Sequence, residues 1–310
     1  MTGTPIAACL GGELMALAYE HAQSHMHMSW PDGEPQKAQL VTDQIAGIDI
    51  PRGERYGIAR HVALMPVKGL LTPDTAAFEK WFGWATYQGI TRACAELAAN
   101  DDVSAAVLDI NSPGGMVLGL EGAAEAIAEL AAVKPVHIVV NPLAASAAYF
   151  LASQGTDITL VKGAQVGSIG ITRLSVWPVQ SGQDGNQWGV HVSSHARAKR
   201  PDPTDEAGLA EIQRGLDESE NTFLNAVAKG RDLDRATLPS QLSITDDERD
   251  GGAMYEAQEA VSRGLADSVE TYADFYGRIF GQYAPPVKPR QSRAMSVAAR
   301  ARIAKAKSRT

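Results

Sequence analysis

The chain has 310 residues, 45% hydrophobic and 21% charged, which suits one large α/β domain or two small ones with a sizeable core and excludes wholesale disorder. Its 29 Gly and 16 Pro exclude a fibrous or low-complexity chain. Its two cysteines, Cys9 and Cys94, are too few for a disulfide framework or a four-thiolate zinc site, and point to a reducing compartment. The net charge is −8, but residues 288–310 hold eight bases and no acid, so the tail carries +8 and residues 1–287 carry −16. Such a run reads as a solvated terminus or as an address for an acidic partner. No aromatic residue interleaves it, so it offers no stacking platform for single-stranded nucleic acid.

Residues 1–57 read as a prefix, with a helical stretch around Glu13 to His27 leading into the polar segment Ser29 to Pro35. The first 36 residues hold no Lys or Arg, which gives no charged start for a secretory signal. His21, His25 and His27 lack a further ligand at helical spacing beyond Glu20, so the prefix predicts no metal site. From His61 the texture changes to strands alternating with helices, the pattern of a layered α/β sheet. His61 to Lys68 reads as a strand. Ile90, Ala93, Cys94, Leu97 and Ala98 then follow helical spacing. Ala105 to Ile110 is a second strand, ending at Asn111-Ser112-Pro113-Gly114-Gly115, and a helix runs on to about Ala132. Val136 to Val140 is a third strand, ending at Asn141-Pro142, with a short helix beginning close to Ser146.

Val166 to Ile171 reads as a turn into a further strand. A long amphipathic helix from about Asp205 to Lys229 presents Leu209, Ile212, Leu216, Phe223 and Val227 on one face. Tyr255 to Arg263 is a last helix, capped by Gly264. The apolar stretch Val136 to Ala152 is interrupted by His137, Asn141, Pro142 and Ser146 and falls short of a membrane span. Phe78, Trp81, Phe82 and Trp84 read as core or subunit contact, and Asp109 as a structural carboxylate.

In layered α/β folds ligands bind beyond the carboxyl ends of the strands. At one such end Gly114 and Gly115 let backbone approach a ligand closely, and amides turning into a helix can hold an oxyanion. At the next, Ser146 sits among Ala144, Ala145, Ala147 and Ala148, either as an ordinary N-cap or as a hydroxyl with room for a substrate beside it. A nucleophilic serine needs a base, and the candidates downstream are His191, His195 and Lys199.

Asn111 to Gly115, Ala145 to Tyr149, Val166 to Ile171 and Lys199, in that order and spacing, resemble the family of signal peptide peptidase A and, more closely, the phage lambda protein C-type serine peptidases of head maturation. The likeness covers roughly residues 58–272, including Pro66 to Gly69 and the closing stretch from Tyr255 to Asp267. The resemblance implies a Clp-protease/crotonase-like α/β fold for a peptidase domain over 58–275; the chain outside it reads as a mostly helical prefix over 1–57 and a disordered basic tail over 276–310. The resemblance also implies Ser146 as nucleophile, Lys199 as general base, Ser168 as an accessory hydroxyl that orients the lysine, and an oxyanion hole from the N–H of Gly114 or Gly115 with that of Ala147. No cofactor and no metal are implied.

The expected partners are scaffold or capsid proteins as substrates and further copies of the chain in a ring, with the tail docking on capsid or portal proteins and no membrane or nucleic acid involved. The expected place is the host cytoplasm and procapsid, or the bacterial cytoplasm for a prophage. Three other readings stand beside this one: a bacterial peptidase degrading signal peptides, a crotonase-like acyl-CoA enzyme, and an inactive assembly component.

Overall fold

In the computed structural model, which describes residues 6, 13–29, 43–51, 54–74, 76–173, 193, 198 and 201–284, the apolar runs become neighbouring strands of one mixed sheet. The first strands are β1 (Leu14–Leu17), β2 (Asp43–Ile45), β3 (Ile48–Ile50), β4 (Gly57–Ala59), β5 (Val62–Lys68), β6 (Ala105–Ser112) and β7 (Gly114–Met116). There follow β8 (Val136–Ala145), β9 (Asp157–Val161), β10 (Gln165–Gly167), β11 (Thr172–Arg173), β12 (Met254–Glu256) and β13 (Ser268–Glu270). The large sheet runs β12-β10-β8-β6-β5-β4, with β9 on β8 and β13 on β9. Its centre, β5, β6, β8 and β9, is parallel, and antiparallel β4 and β12 close its ends.

Parallel strands joined by helices are covered on both faces, which is why β6 and β8 read as nearly unbroken apolar runs. Ala106, Leu108, Ile110, Ile138 and Val140 face a core shared with helices Tyr87–Ala99 and Leu120–Val133, through Cys94, Leu97, Ile127 and Leu130. Val107 and Val139 point the other way, against Phe275, Tyr276 and Ile279 of helix Tyr272–Gln282. That helix crosses the boundary expected at 275. Asp109, on this second face, is buried and accepts hydrogen bonds from the phenols of Tyr272 and Tyr276, the latter at 3.0 Å. At the far end of the sheet Arg231 grips Asp267 at 2.7 and 3.0 Å, and Asp267 also accepts the Ile158 N–H.

Several expectations shift. The prefix is not mostly helical where it is described: Leu14–Leu17 is a strand, helix Tyr19–Met26 follows it, and β2 and β3 form a hairpin. The strand conformation of 14–17 comes from distant partners, β7 and β11, between which it lies antiparallel in a second, three-stranded sheet. β8 does not stop at Asn141-Pro142 but runs on to Ala145, because β10 takes over from β9 along the same edge. Around 166–171 the strand precedes the turn. Tyr255 belongs to β12, and the last short helix is Ala257–Ser262, with Gly264 at φ +75° after it. Ala98 is exposed.

Helix Glu206–Arg231 buries only the C-terminal half of its apolar stripe. Phe223 and Val227 are wholly covered, and Leu209 is 52% exposed. Phe78 and Trp84 are core residues, packed with Ile6, Met15, Leu17 and Met26. No helix among the described residues is long and apolar enough to cross a membrane. Of the tail expected to be disordered over 276–310, residues 276–282 belong to helix Tyr272–Gln282, and 285–310 lie outside the described residues.

Burial holds the Asp109 carboxyl above the usual carboxylate range, against the opposing pull of the two phenols. A raised folded value means that ionisation costs stability as pH climbs through it, and that below the unfolded carboxylate value the cost is absent. Tyr276→Phe, which takes away one of the donors, is therefore expected to lower the unfolding free energy by about 1–2 kcal/mol at pH 7 and by distinctly less at pH 4, read by urea titration at both.

Candidate active site

The carboxyl ends of β6 and β8 lie side by side, with Ser112 opposite Ala144 across a register shift. Just past β6 the chain makes a tight reversal. The Ser112 hydroxyl donates to the Gly69 carbonyl at 2.7 Å and accepts the Gly114 N–H at 3.1 Å. Ser112 thus positions the glycine pair, a role the sequence motif contained without revealing. Gly114 has φ +103°, and a Cβ there would meet the Ala16 carbonyl oxygen at 2.3 Å, the Ala145 carbonyl oxygen at 3.0 Å and the Ala147 nitrogen at 3.1 Å. A Cβ on Gly115 would meet the Leu71 carbonyl oxygen at 1.9 Å. Backbone closes on backbone here from three sides, and only glycine leaves room.

Ser146 follows the last residue of β8 and precedes helix Ala147–Ala152. Its N–H donates to the Gly167 carbonyl at 2.7 Å, and its carbonyl accepts from Phe150 at 2.9 Å. It sits at φ +54°, ψ −119°, a conformation that costs a non-glycine residue about 1–3 kcal/mol. The capping role expected of a serine at that place is not taken: its side chain makes no cap hydrogen bond, and Oγ is buried with no partner among the described residues. A strained backbone presenting an unpaired hydroxyl is poor as structure and suited to chemistry. Ala147, at the head of the short helix, has an N–H with no carbonyl to bond within that helix.

Ser168 follows Gly167, which closes the β8–β10 ladder opposite Ala145, the residue before Ser146. It is half-buried at φ +51°, gives its N–H to the Ala253 carbonyl at 2.8 Å, and lines a cleft of about 710 Å³ with Leu17, Ile171 and Thr172. The structure therefore gathers Ser146, Ser168, Gly114, Gly115 and Ala147 at one place. Lys199, like His191 and His195, lies outside the described residues.

Two other reactive groups are silenced by their surroundings. Burial pushes the Cys94 thiol up to about 12, so at neutral pH it is not a thiolate. Burial likewise raises Tyr149, whose hydroxyl donates to the Leu265 carbonyl at 2.9 Å and braces the helix behind Ser146. Among the described residues no group of three His, Cys, Asp or Glu side chains is placed to hold a metal ion.

Residues 128–280 match Peptidase family S49. That span includes Ser146, Ser168 and Lys199, and the resemblance to the phage lambda protein C-type peptidases holds. The chain is 29% identical over 253 residues to the capsid assembly protease C of Escherichia phage lambda, covering 76% of this chain and 53% of that protein. It is 29% identical over 225 residues to the head-tail preconnector protein of Enterobacteria phage P21, covering 71% and 42%. A putative protease of Methanocaldococcus jannaschii is 30% identical over 185 residues, covering 58% and 56%. The chain spans about half the length of these relatives.

Glycine adopts the Ser146 conformation without strain and leaves no orphaned hydroxyl. Ser146→Gly is expected to raise the unfolding free energy by about 1 kcal/mol in a denaturant titration. A serine that capped its helix would instead lose a few tenths on the same change.

Proposed function

We propose that this chain is a serine endopeptidase of phage head maturation, built on a Clp-protease/crotonase-like fold and working through a Ser146–Lys199 dyad. The observation that carries the reading is Ser146 itself, a buried, unpaired hydroxyl on a strained turn, beside the amides of Gly114, Gly115 and Ala147. The matches to Peptidase family S49 and to a lambda protein named for capsid assembly support it.

Ser146 Oγ attacks the peptide carbonyl as Lys199 Nζ accepts its proton. The carbonyl oxygen becomes an oxyanion, held by the Ala147 N–H and by an amide of the glycine pair. The intermediate collapses to an acyl-enzyme on Ser146, and the lysine returns the proton to the departing amine. Water then takes the place of the amine, and the same proton traffic releases the acid and restores Ser146.

For Lys199 to act as base near neutral pH its value must fall from about 10.4 to about 7–8, which needs a site drained of water. Ser168 is the hydroxyl that orients the amine. The Gly114 N–H is engaged by Ser112 Oγ, so the hole forms either by Gly114 turning from that bond or through Gly115. The substrates are scaffold or capsid proteins of the assembling head, met in the host cytoplasm or procapsid. The working unit is a ring of this chain, and the basic tail is its docking segment.

The test is co-expression with a candidate capsid or scaffold protein, read by intact mass. Ser146→Ala and Lys199→Ala are each expected to lower cleavage by about a thousandfold or more. Cleavage surviving in Lys199→Ala moves the base to His195, and cleavage surviving in Ser146→Ala overturns the reading.

A further inference from the structure

Ser146 is wholly buried, so as the chain is folded no substrate reaches its hydroxyl. The chain's own prefix runs along the glycine pair beside the site. β1 lies between β7 and β11, antiparallel to both, with Leu17 opposite Gly114, Ala16 opposite Gly115, Met15 opposite Met116 and Thr172, and Leu14 opposite Arg173. The Ala18 N–H donates to the Pro113 carbonyl and the Val117 N–H to the Leu14 carbonyl, at 2.9 and 3.0 Å. The alternation of an antiparallel ladder then makes Ala16 and Gly115 the pair between them that exchanges both bonds. Thr172 Oγ1 adds a bond to the Met15 carbonyl at 3.3 Å.

The Ala16 carbonyl oxygen and the Ala147 nitrogen both fall within 3.1 Å of the point a Gly114 Cβ would occupy. A main-chain carbonyl of the prefix thus lies against the residues that flank the nucleophile.

We propose that residues 14–17 fill the strand slot that an extended polypeptide substrate must enter, and that the chain as folded is self-occupied until this segment is displaced. The inference rests on the reading of Ser146 as nucleophile. Take β1 away and β7 and β11 present two unpaired edges facing one another across the width of a single strand, a geometry that calls for a peptide. The occupant is held by its ends and by its outer face. Met15 and Leu17 pack into an apolar cluster with Leu70, Phe78 and Trp84. Ala16 points inward to the main core that also contains Ala147 and Ala148. The slot therefore selects an extended segment with a small side chain facing the elbow and apolar side chains on either side of it.

Two variants of the full chain test this. Ala16→Pro removes the N–H that β7 accepts and loosens the occupant. In a Cys9→Ser background, Met15→Cys with Thr172→Cys sets two thiols opposite one another and locks the occupant in place when oxidised. Two readouts are taken on each: the rate of Ser146 labelling by a fluorophosphonate, and binding of a fluorescein-labelled peptide of residues 11–20.

Ala16→Pro is expected to label at least tenfold faster than the parent and to bind the peptide at least tenfold more tightly. The oxidised lock should do neither, and reductant should return it to the parent's behaviour. Equal labelling and equal peptide binding in the parent, the Ala16→Pro variant and the oxidised lock overturn the proposal. If Ala16→Pro fails to fold, the lock alone decides, since faster labelling on reduction supports self-occupancy and no change refutes it. Peptide binding that follows the occupant while Ser146 is labelled in no variant leaves the self-occupied slot standing and sinks Ser146 as nucleophile instead.

Discussion

The structure turns on one shared strand edge. β8 pairs with β6 along one side, and its other side is served first by β9, from His137 to Val140, and then by β10, from Leu143 to Ala145. Without that hand-over the strand would have no partner for its last residues. It could not carry Ser146 past the layer of Asp109 and the phenols to the rim of the sheet. With it, the Gly167 carbonyl is in place to take the Ser146 N–H, and the unfavourable turn at the serine is enforced by hydrogen bonds on both sides. Strain of this kind persists only where the surroundings over-determine it. Here the surroundings are two parallel ladders and a buried helix whose Tyr149 is bonded to Leu265.

The glycine pair is the second constraint, and it follows from the first. Bringing the end of β6 beside the end of β8 leaves the 113–116 segment hemmed by Leu71, by the Ser146 elbow and by β1. The Leu71 N–H donates to the Gly114 carbonyl and the Met116 N–H to the Leu71 carbonyl, at 2.9 and 3.0 Å, so one edge of this segment is permanently spent. Only the other edge can receive a strand, and in the folded chain β1 is on it. On the proposed reading, that one edge admits the prefix or a substrate, never both.

Much of this was legible in the sequence, for a physical reason that differs from element to element. β5, β6 and β8 are buried on both faces, so their apolar runs announce them. Ser146 stood out because alanines flank it, and the same small residues let backbone pack against the elbow. The short strands β7, β10 and β11 were not legible as strands, since two or three residues carry no periodicity and owe their conformation to their partners. The prefix misled in the same way. Leu14, Leu17, Ala18 and Ala22 sit at helical spacing, yet Leu14–Leu17 is extended because β7 and β11 offer it more hydrogen bonds than its own turn would. Helix Glu206–Arg231 shows the converse: its apolar stripe was read along its whole length, and the fold covers only the half near Phe223 and Val227.

One short segment joins the two halves of the site. Gly167 holds the Ser146 N–H, Ser168 follows it, and Thr172 and Arg173 pair with the outer edge of β1. The chain leaves that pairing at Arg173 on its way to Lys199. Whatever pairs with β11, the prefix or, on the proposed reading, a substrate, therefore fixes the point from which the chain sets out toward Lys199. On the proposed reading, slot and elbow are thereby coupled through a single stretch of chain, Gly167 to Arg173.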